Sequence, residues 1–198
     1  MGPTADEIVR AAARAIGSGV RVDTRTFARD LGVSRSTLFR RVGNREELLG
    51  EALWYLADRT MASAVREWER AEGPAVRSAS GELRCLAVMR RYRSAIAGNV
   101  GFGRFLHDEP TVAIRVLTDP RGRVQPRVIA AHVELLGRDV RHGGFVPAVG
   151  LDSLCYAIVR LGEAFLYSDV LASRAPDLDA ASTLLAALVE GPVVAAPL

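Results

Sequence analysis

The sequence contains no lysine: all 26 basic residues among its 198 are arginine. Every cationic contact it makes therefore goes through a guanidinium, the group suited to bidentate grip on phosphates and base edges. A GC-rich genome produces the same bias, so the missing lysine alone points to no function. Cysteine is nearly absent too. Cys85 and Cys155 lie far apart in apolar helical patterns. That predicts buried free thiols in a reducing cytoplasm, with no spacing for a metal site. No apolar run approaches the ~20 residues that cross a bilayer. The start, Met1-Gly2-Pro3-Thr4-Ala5-Asp6-Glu7, lacks the basic and apolar regions of a signal peptide. A cytoplasmic protein without a membrane partner is expected.

Catalytic constellations are missing as well. There is no phosphate-binding glycine loop, no nucleophile motif and no paired-cysteine site. His107-Asp108-Glu109 places three polar groups side by side, but no second ligand group recurs at helical spacing. His132 and His142 are ten residues apart, which is no ligand spacing. No enzyme activity, cofactor or metal is expected.

What is present is a helical pattern throughout. Hydrophobic residues make up 49% and charged residues 25%, with a net charge of +3, so the chain can bury a core and is not of disordered composition. Thr4 and Glu7 have capping-box spacing, and Ile8, Val9, Ala12, Ala13 and Ile16 follow at helical intervals up to Gly17 and Gly19. A short helix is predicted over residues 24–30, capped by Asp23 or Thr24. A second runs from the Ser34 cap to about Arg41, and Gly43-Asn44 breaks it. Asn44 with Glu47 opens a long helix reaching about residue 70. Residues 71–81 are rich in Gly, Pro and Ser and read as a loop. Further helices are predicted over about 82–98, 110–117, 124–140, 151–173 and 178–190, with a short segment around Phe102, Phe105 and Leu106. The tail after Gly191 reads as loose. No strand alternation or internal repeat is visible, so the fold class is all-α.

The informative segment is Thr24 to Arg41. Two short helices joined by a tight turn must meet at a steep angle. Ala28 is small enough for close approach, and Gly32 can adopt the left-handed conformation of the turn. Phe27, Leu31, Val33 and Leu38 close a small core beneath. The exposed remainder of the second helix is Ser34, Arg35, Ser36, Thr37, Arg40 and Arg41, donors without one acid. Such a surface suits a recognition helix in the major groove. Residues 1–51 carry nine arginines and seven acids, so the electropositive signal is local to this helix.

The segment resembles the tetracycline-repressor family of bacterial regulators over about residues 5–53. The resemblance rests on Gly17, Thr24-Arg25-Thr26-Phe27-Ala28, Leu31-Gly32-Val33-Ser34, Thr37-Leu38-Phe39 and Asn44-Arg45-Glu46-Glu47-Leu48-Leu49. It implies about nine helices and a homodimer. It further implies a three-helix helix-turn-helix domain over residues 1–50, followed by a helical effector-binding and dimerisation domain over 51–198. Ser34, Arg35, Ser36 and Thr37 would face bases. Arg40, Arg41 and Arg45, with Thr24 or Thr26, would hold the DNA backbone. The family often has tyrosine where Phe39 stands, and its frequent lysine is Arg45 here. Phe39 cannot donate to a phosphate and is expected to pack at the helix edge.

The last two helices are apolar across more than one stripe. They either pair with their copies through Leu154, Ile158, Gly162, Phe165, Leu184, Leu185 and Leu188, or complete the chain's own core. A dimer is favoured because one helix-turn-helix reads too few bases, and two recognition helices must sit about one DNA turn, ~34 Å, apart on a palindromic operator. The resemblance implies an effector cavity among the middle helices. Trp54, Trp68, Met89, Tyr92, Asn99, Phe102, Phe105, His132, Tyr156 and Glu163 are its candidate lining, for a small and mostly apolar effector. The function expected is a one-component transcriptional regulator, a repressor released from double-stranded operator DNA by that effector.

Overall fold

A computed structural model describes residues 2–172 and 174–191; the tail beyond Gly191 lies outside them. Eleven helices are described, in place of about nine, and no strand occurs among the described residues. The first four helices are α1 (Ala5–Gly17), α2 (Thr24–Asp30), α3 (Arg35–Val42) and α4 (Arg45–Glu72). Then come α5 (Arg84–Ala97), α6 (Val100–Asp108), α7 (Pro110–Thr118) and α8 (Gln125–Arg141). The last three are α9 (Leu151–Leu166), α10 (Ser168–Ala172) and α11 (Leu178–Glu190). No described helix is long and apolar enough to cross a membrane.

The helix starts follow the sequence closely because their caps are local. Thr4 accepts from the Glu7 N–H while the Glu7 carboxylate accepts from the Thr4 N–H, a complete capping box. Asp23 caps α2, accepting from Arg25 and Thr26 N–H groups. Asn44 and Glu47 exchange reciprocal bonds of 2.9 Å at the start of α4. Two differences have physical causes. The helix expected over 151–173 stops at Leu166, where the Ser168 hydroxyl donates to the Phe165 carbonyl at 2.9 Å, and α10 restarts the chain. The segment around Phe102 is a full helix, because the Asn99 side chain caps it at the Phe102 N–H.

The chain divides into two compact units. One contains the residues up to Arg59 with Ile96–Val128; the other contains Thr60–Ala95 with the residues from Ile129 onward. The first unit packs α3 on α1 and α2, α6 on α1, and α7 on α6. Ile8, Ala12, Ala13, Ile16, Ala28, Leu38, Leu48 and Leu49 form its core. Gly101 is obligatory there: a Cβ would come within 2.3 Å of the Ile16 and Gly17 carbonyl oxygens.

In the second unit α9 packs on α11, and Trp68, Leu83, Met89, Leu136, Leu154, Ile158 and Leu185 are fully buried. A buried ion pair ties α5 to α8: Arg84 Nε donates to Asp139 Oδ1 at 2.6 Å and its Nη2 to the Leu135 carbonyl at 2.8 Å. The other Asp139 oxygen accepts from the Cys85 N–H at 2.7 Å. Both cysteines are free and buried, as expected. Burial pushes the Cys155 thiol up to about 11 and the Cys85 thiol higher still, with the Asp139 charge adding to the latter.

Candidate nucleic-acid interface

The bend between α2 and α3 follows from one residue. Gly32 has φ +67°, a conformation that L side chains disfavour, and the Val33 N–H returns to the Ala28 carbonyl at 3.0 Å. Ala28 is buried at this corner, and Leu38 anchors α3 into the core. The rest of α3 is left facing outward. Arg35, Ser36 and Arg40 are exposed and Thr37 is half-exposed. The first turn of α3 has no acid, so nothing there opposes an approaching polyanion. Among the described residues neither Arg35 nor Arg40 has an acidic partner. The Arg35 guanidinium lies 5.5 Å from the centre of the Phe39 ring, so Phe39 braces a cation as well as packing at the helix edge.

Other predicted contact residues are placed differently. Thr24 is buried, whereas Thr26 is exposed. The Ser34 hydroxyl caps α3: it accepts from the Thr37 N–H at 3.1 Å, donates to Thr37 Oγ1 at 2.9 Å and lies 2.9 Å from Ser36 Oγ. Ser34 thus caps α3 from an exposed position. Arg45 is also engaged inside its unit. Its Nη2 meets Glu109 Oε1 at 2.7 Å and its Nε donates to the Val22 carbonyl at 2.8 Å. These contacts leave its remaining guanidinium N–H groups for any phosphate. Arg41 stands between the two cases: half-buried, with one guanidinium nitrogen donating to the Pro3 carbonyl.

Beside α3, the first unit carries a groove of about 500 Å³. Residues of α1 and α4 line it with Arg41, Val42, Arg123 and Arg127. Trp54 is the one predicted effector-pocket residue on it, with the Arg127 guanidinium 5.9 Å from its ring centre. Arg123 and Arg127 are tied to Glu47 and Glu51 of α4 at 2.7–3.6 Å.

The predicted pocket residues are distributed over both units. Trp54, Asn99, Phe102 and Phe105 belong to the first unit, the others to the second. Asn99 is exposed and its carbonyl oxygen is used in capping α6. Tyr156 is 53% exposed and Trp68 is core, its Nε1 donating to the Ala75 carbonyl at 3.0 Å. Met89, Tyr92, His132 and Glu163 are buried in the second unit, with the Tyr92 and His132 rings edge-on at 6.1 Å. Burial raises the Tyr92 and Tyr167 phenols, and the nearby Glu163 charge raises both further. The predicted interface residues also split. Leu154, Ile158, Gly162 and Leu185 are buried within the chain. Phe165 is half-buried, and Leu184 and Leu188 are 48% and 40% exposed. The two apolar stripes of these helices thus have separate fates.

A family model of the tetracyclin repressor-like C-terminal domain matches residues 80–190. The chain belongs to the tetracycline-repressor family. It is similar to the R. erythropolis transcriptional repressor QsdR of that family, with 26% identity over 93% of each chain and a TM-score of 0.80. The multidrug binding protein EbrR, whose structure is a complex with imidazole, has the same fold at 19% identity, covering 94% of this chain and 90% of the other, with a TM-score of 0.54. No curated protein matches the chain.

Membership in the tetracycline-repressor family makes this chain a transcriptional regulator by type. The residue that sequence reasoning missed in its second unit is Arg93, buried at 5% exposure. A signal existed: Leu86, Met89 and Arg93 share one face of α5, so an arginine occupies an apolar row. His107 and Asp108, weighed as a catalytic pair, meet at 2.9 Å on the open surface, without a third group. Among the described residues no cluster of three or more His, Cys, Asp or Glu could hold a metal.

Proposed function

We propose that this chain is a one-component repressor. As a homodimer it binds a palindromic operator through α3, and it leaves the operator when a small, mostly apolar effector occupies the helical core of its second unit. The observation that carries the reading is the acid-free surface of α3, where Arg35, Ser36, Thr37 and Arg40 face outward beyond a bend fixed by Gly32. Arg35, Ser36 and Thr37 are assigned to base edges. Arg40, Thr26 and the free part of the Arg41 guanidinium are assigned to the backbone. A repressive mode is supported by the likeness to QsdR, itself a repressor. No catalysis and no cofactor enter this function.

Dimer formation is supported by the exposed side chains of Leu184 and Leu188 on α11, which an isolated chain leaves in water. Two copies would then present two α3 helices about one DNA turn, ~34 Å, apart. α4 runs unbroken from Arg45 to Glu72 and contributes residues to both compact units, which makes it the proposed lever of the response. The effector acts by binding one spacing of the recognition helices more tightly than the other.

The test is a titration of the protein–operator complex with compounds that bind the free protein. Operator affinity should fall as the effector saturates. Unchanged affinity at saturation rejects release, and loss of all operator preference in the wild type rejects DNA reading itself.

A further inference from the structure

Arg93 is a buried charge without a counter-charge. It is 5% exposed, and among the described residues its one hydrogen bond runs from Nη2 to the Ser182 hydroxyl at 3.1 Å. Its Nε is enclosed and has no hydrogen-bond partner. Among the described residues no carboxylate lies within ion-pair distance. The acid beside it on α9, Glu163, pairs with Arg160 at 2.8 Å. Burial, with the Arg90 charge adding, lowers the Arg93 guanidinium to about 10, so it stays protonated at neutral pH. The same helix shows the usual arrangement at Arg84, where Asp139 neutralises a charge buried just as deeply. Buried charges are ordinarily paired, and an unpaired one is costly.

A glycine lies beside the stem of this arginine. Gly162 occupies a buried position inside α9, where glycine is less favourable than alanine by about 1 kcal/mol. A Cβ built there would meet only Arg93 Cδ, at 3.9 Å, within a 4 Å radius. The glycine therefore leaves room for a methyl group in ordinary contact with the stem of Arg93. An orphaned donor and a helix face without a side chain coincide.

We infer that Arg93 reads the anionic group of the effector, gripping the carboxylate of a small monocarboxylic acid whose apolar body packs on the side-chain-free face of α9 at Gly162. This rests on the effector reading proposed above and adds the ligand's chemical class. The free Nε–H is one prong of the fork that a carboxylate engages. A single buried positive charge balances a single negative one. A phosphate dianion would leave excess charge in a medium of low dielectric.

The test uses the full-length protein and calorimetric titration with octanoate and phenylacetate, their methyl esters, and inorganic phosphate. At least one of the two acids should bind the wild type, its ester and phosphate at least tenfold more weakly. Arg93→Met keeps the stem and removes the charge. It should fold with unchanged or higher thermal stability and lose acid affinity about tenfold or more. Arg93→Lys keeps the charge without the fork and should also weaken the acid, which covers the case in which Arg93→Met fails to fold. Gly162→Leu, which covers that face of α9, should weaken the acid while Arg93 remains. Three results overturn the inference: neither acid binding the wild type, ester binding as well as acid, or arginine variants retaining acid affinity. Operator binding is measured separately without ligand. Its survival alongside any of these three leaves DNA reading intact, and its loss in the wild type strikes that reading alone.

Discussion

Arg35 and Arg40 on α3 are exposed and have no acidic partner among the described residues, whereas Arg84 and Arg93 on α5 are almost wholly enclosed. The same side chain does opposite work in the two helices. On α3 a guanidinium in solvent costs little and is available to a polyanion. On α5 one guanidinium is matched to a carboxylate within the chain and the other is left with an unpartnered donor. The difference lies in the neighbours. α3 surrounds its arginines with hydroxyls and buries only Leu38, while α5 sets its arginines among Cys85, Leu86, Val88 and Met89, all buried. Charge in this protein is read from its surroundings, not from the count of arginines.

The contrast breaks most visibly at the buried pair. Asp139→Asn leaves Arg84 uncompensated and should destabilise the chain by about 3–5 kcal/mol in chemical denaturation. Replacing both partners, Arg84→Met with Asp139→Leu, should restore most of that loss. A single and a double variant of equal stability would show that the pair is not coupled. Next in size, Arg35→Ala should cost about 1–3 kcal/mol of base discrimination while the unfolding midpoint stays unchanged. A midpoint that falls instead would mean that Arg35 belongs to the fold.

Gly32→Val tests the bend that presents α3. The left-handed conformation should cost about 1–2 kcal/mol of stability, with operator affinity falling alongside. Smaller again is the cap of α2. The Thr26 N–H holds the Asp23 carboxyl below the usual carboxylate range. A depressed group stabilises the fold above its unfolded pKa and loses that contribution as pH falls through its folded value, so the effect fades on the acid side of about 4. Asp23→Ala should lower the melting temperature at neutral pH and converge with wild type in acid. Arg40→Ala should change least: affinity drops evenly across sequences, and the salt slope flattens by about one ion.

Legibility in the sequence followed the range of the interactions. Helix starts at Thr4, Asp23, Ser34 and Asn44 were readable because each cap is closed within three residues. The Gly32 turn was readable for the same reason. What stayed hidden depends on partners distant in sequence. Arg45 looked like a free cation until Glu109, 64 residues on, took its guanidinium. Leu154 and Leu185 carried the pattern of an interface, but α9 and α11 bury that stripe against each other and leave Leu184 and Leu188 outside. The polar members of the second unit were partly anticipated, in Tyr92, His132 and Glu163. Arg93 was passed over, since a cation in an apolar row of α5 is indistinguishable by spacing from one that snorkels to solvent.

The most direct measurement is a selection of the purified protein against random duplex oligonucleotides at low salt without effector, with Arg35→Ala run in parallel. Wild type should enrich a twofold-symmetric site with half-sites about one helical turn apart, and the variant should lose preference at one position of each half-site. No enriched sequence with the wild type would contradict the assignment of α3 as the DNA-reading helix.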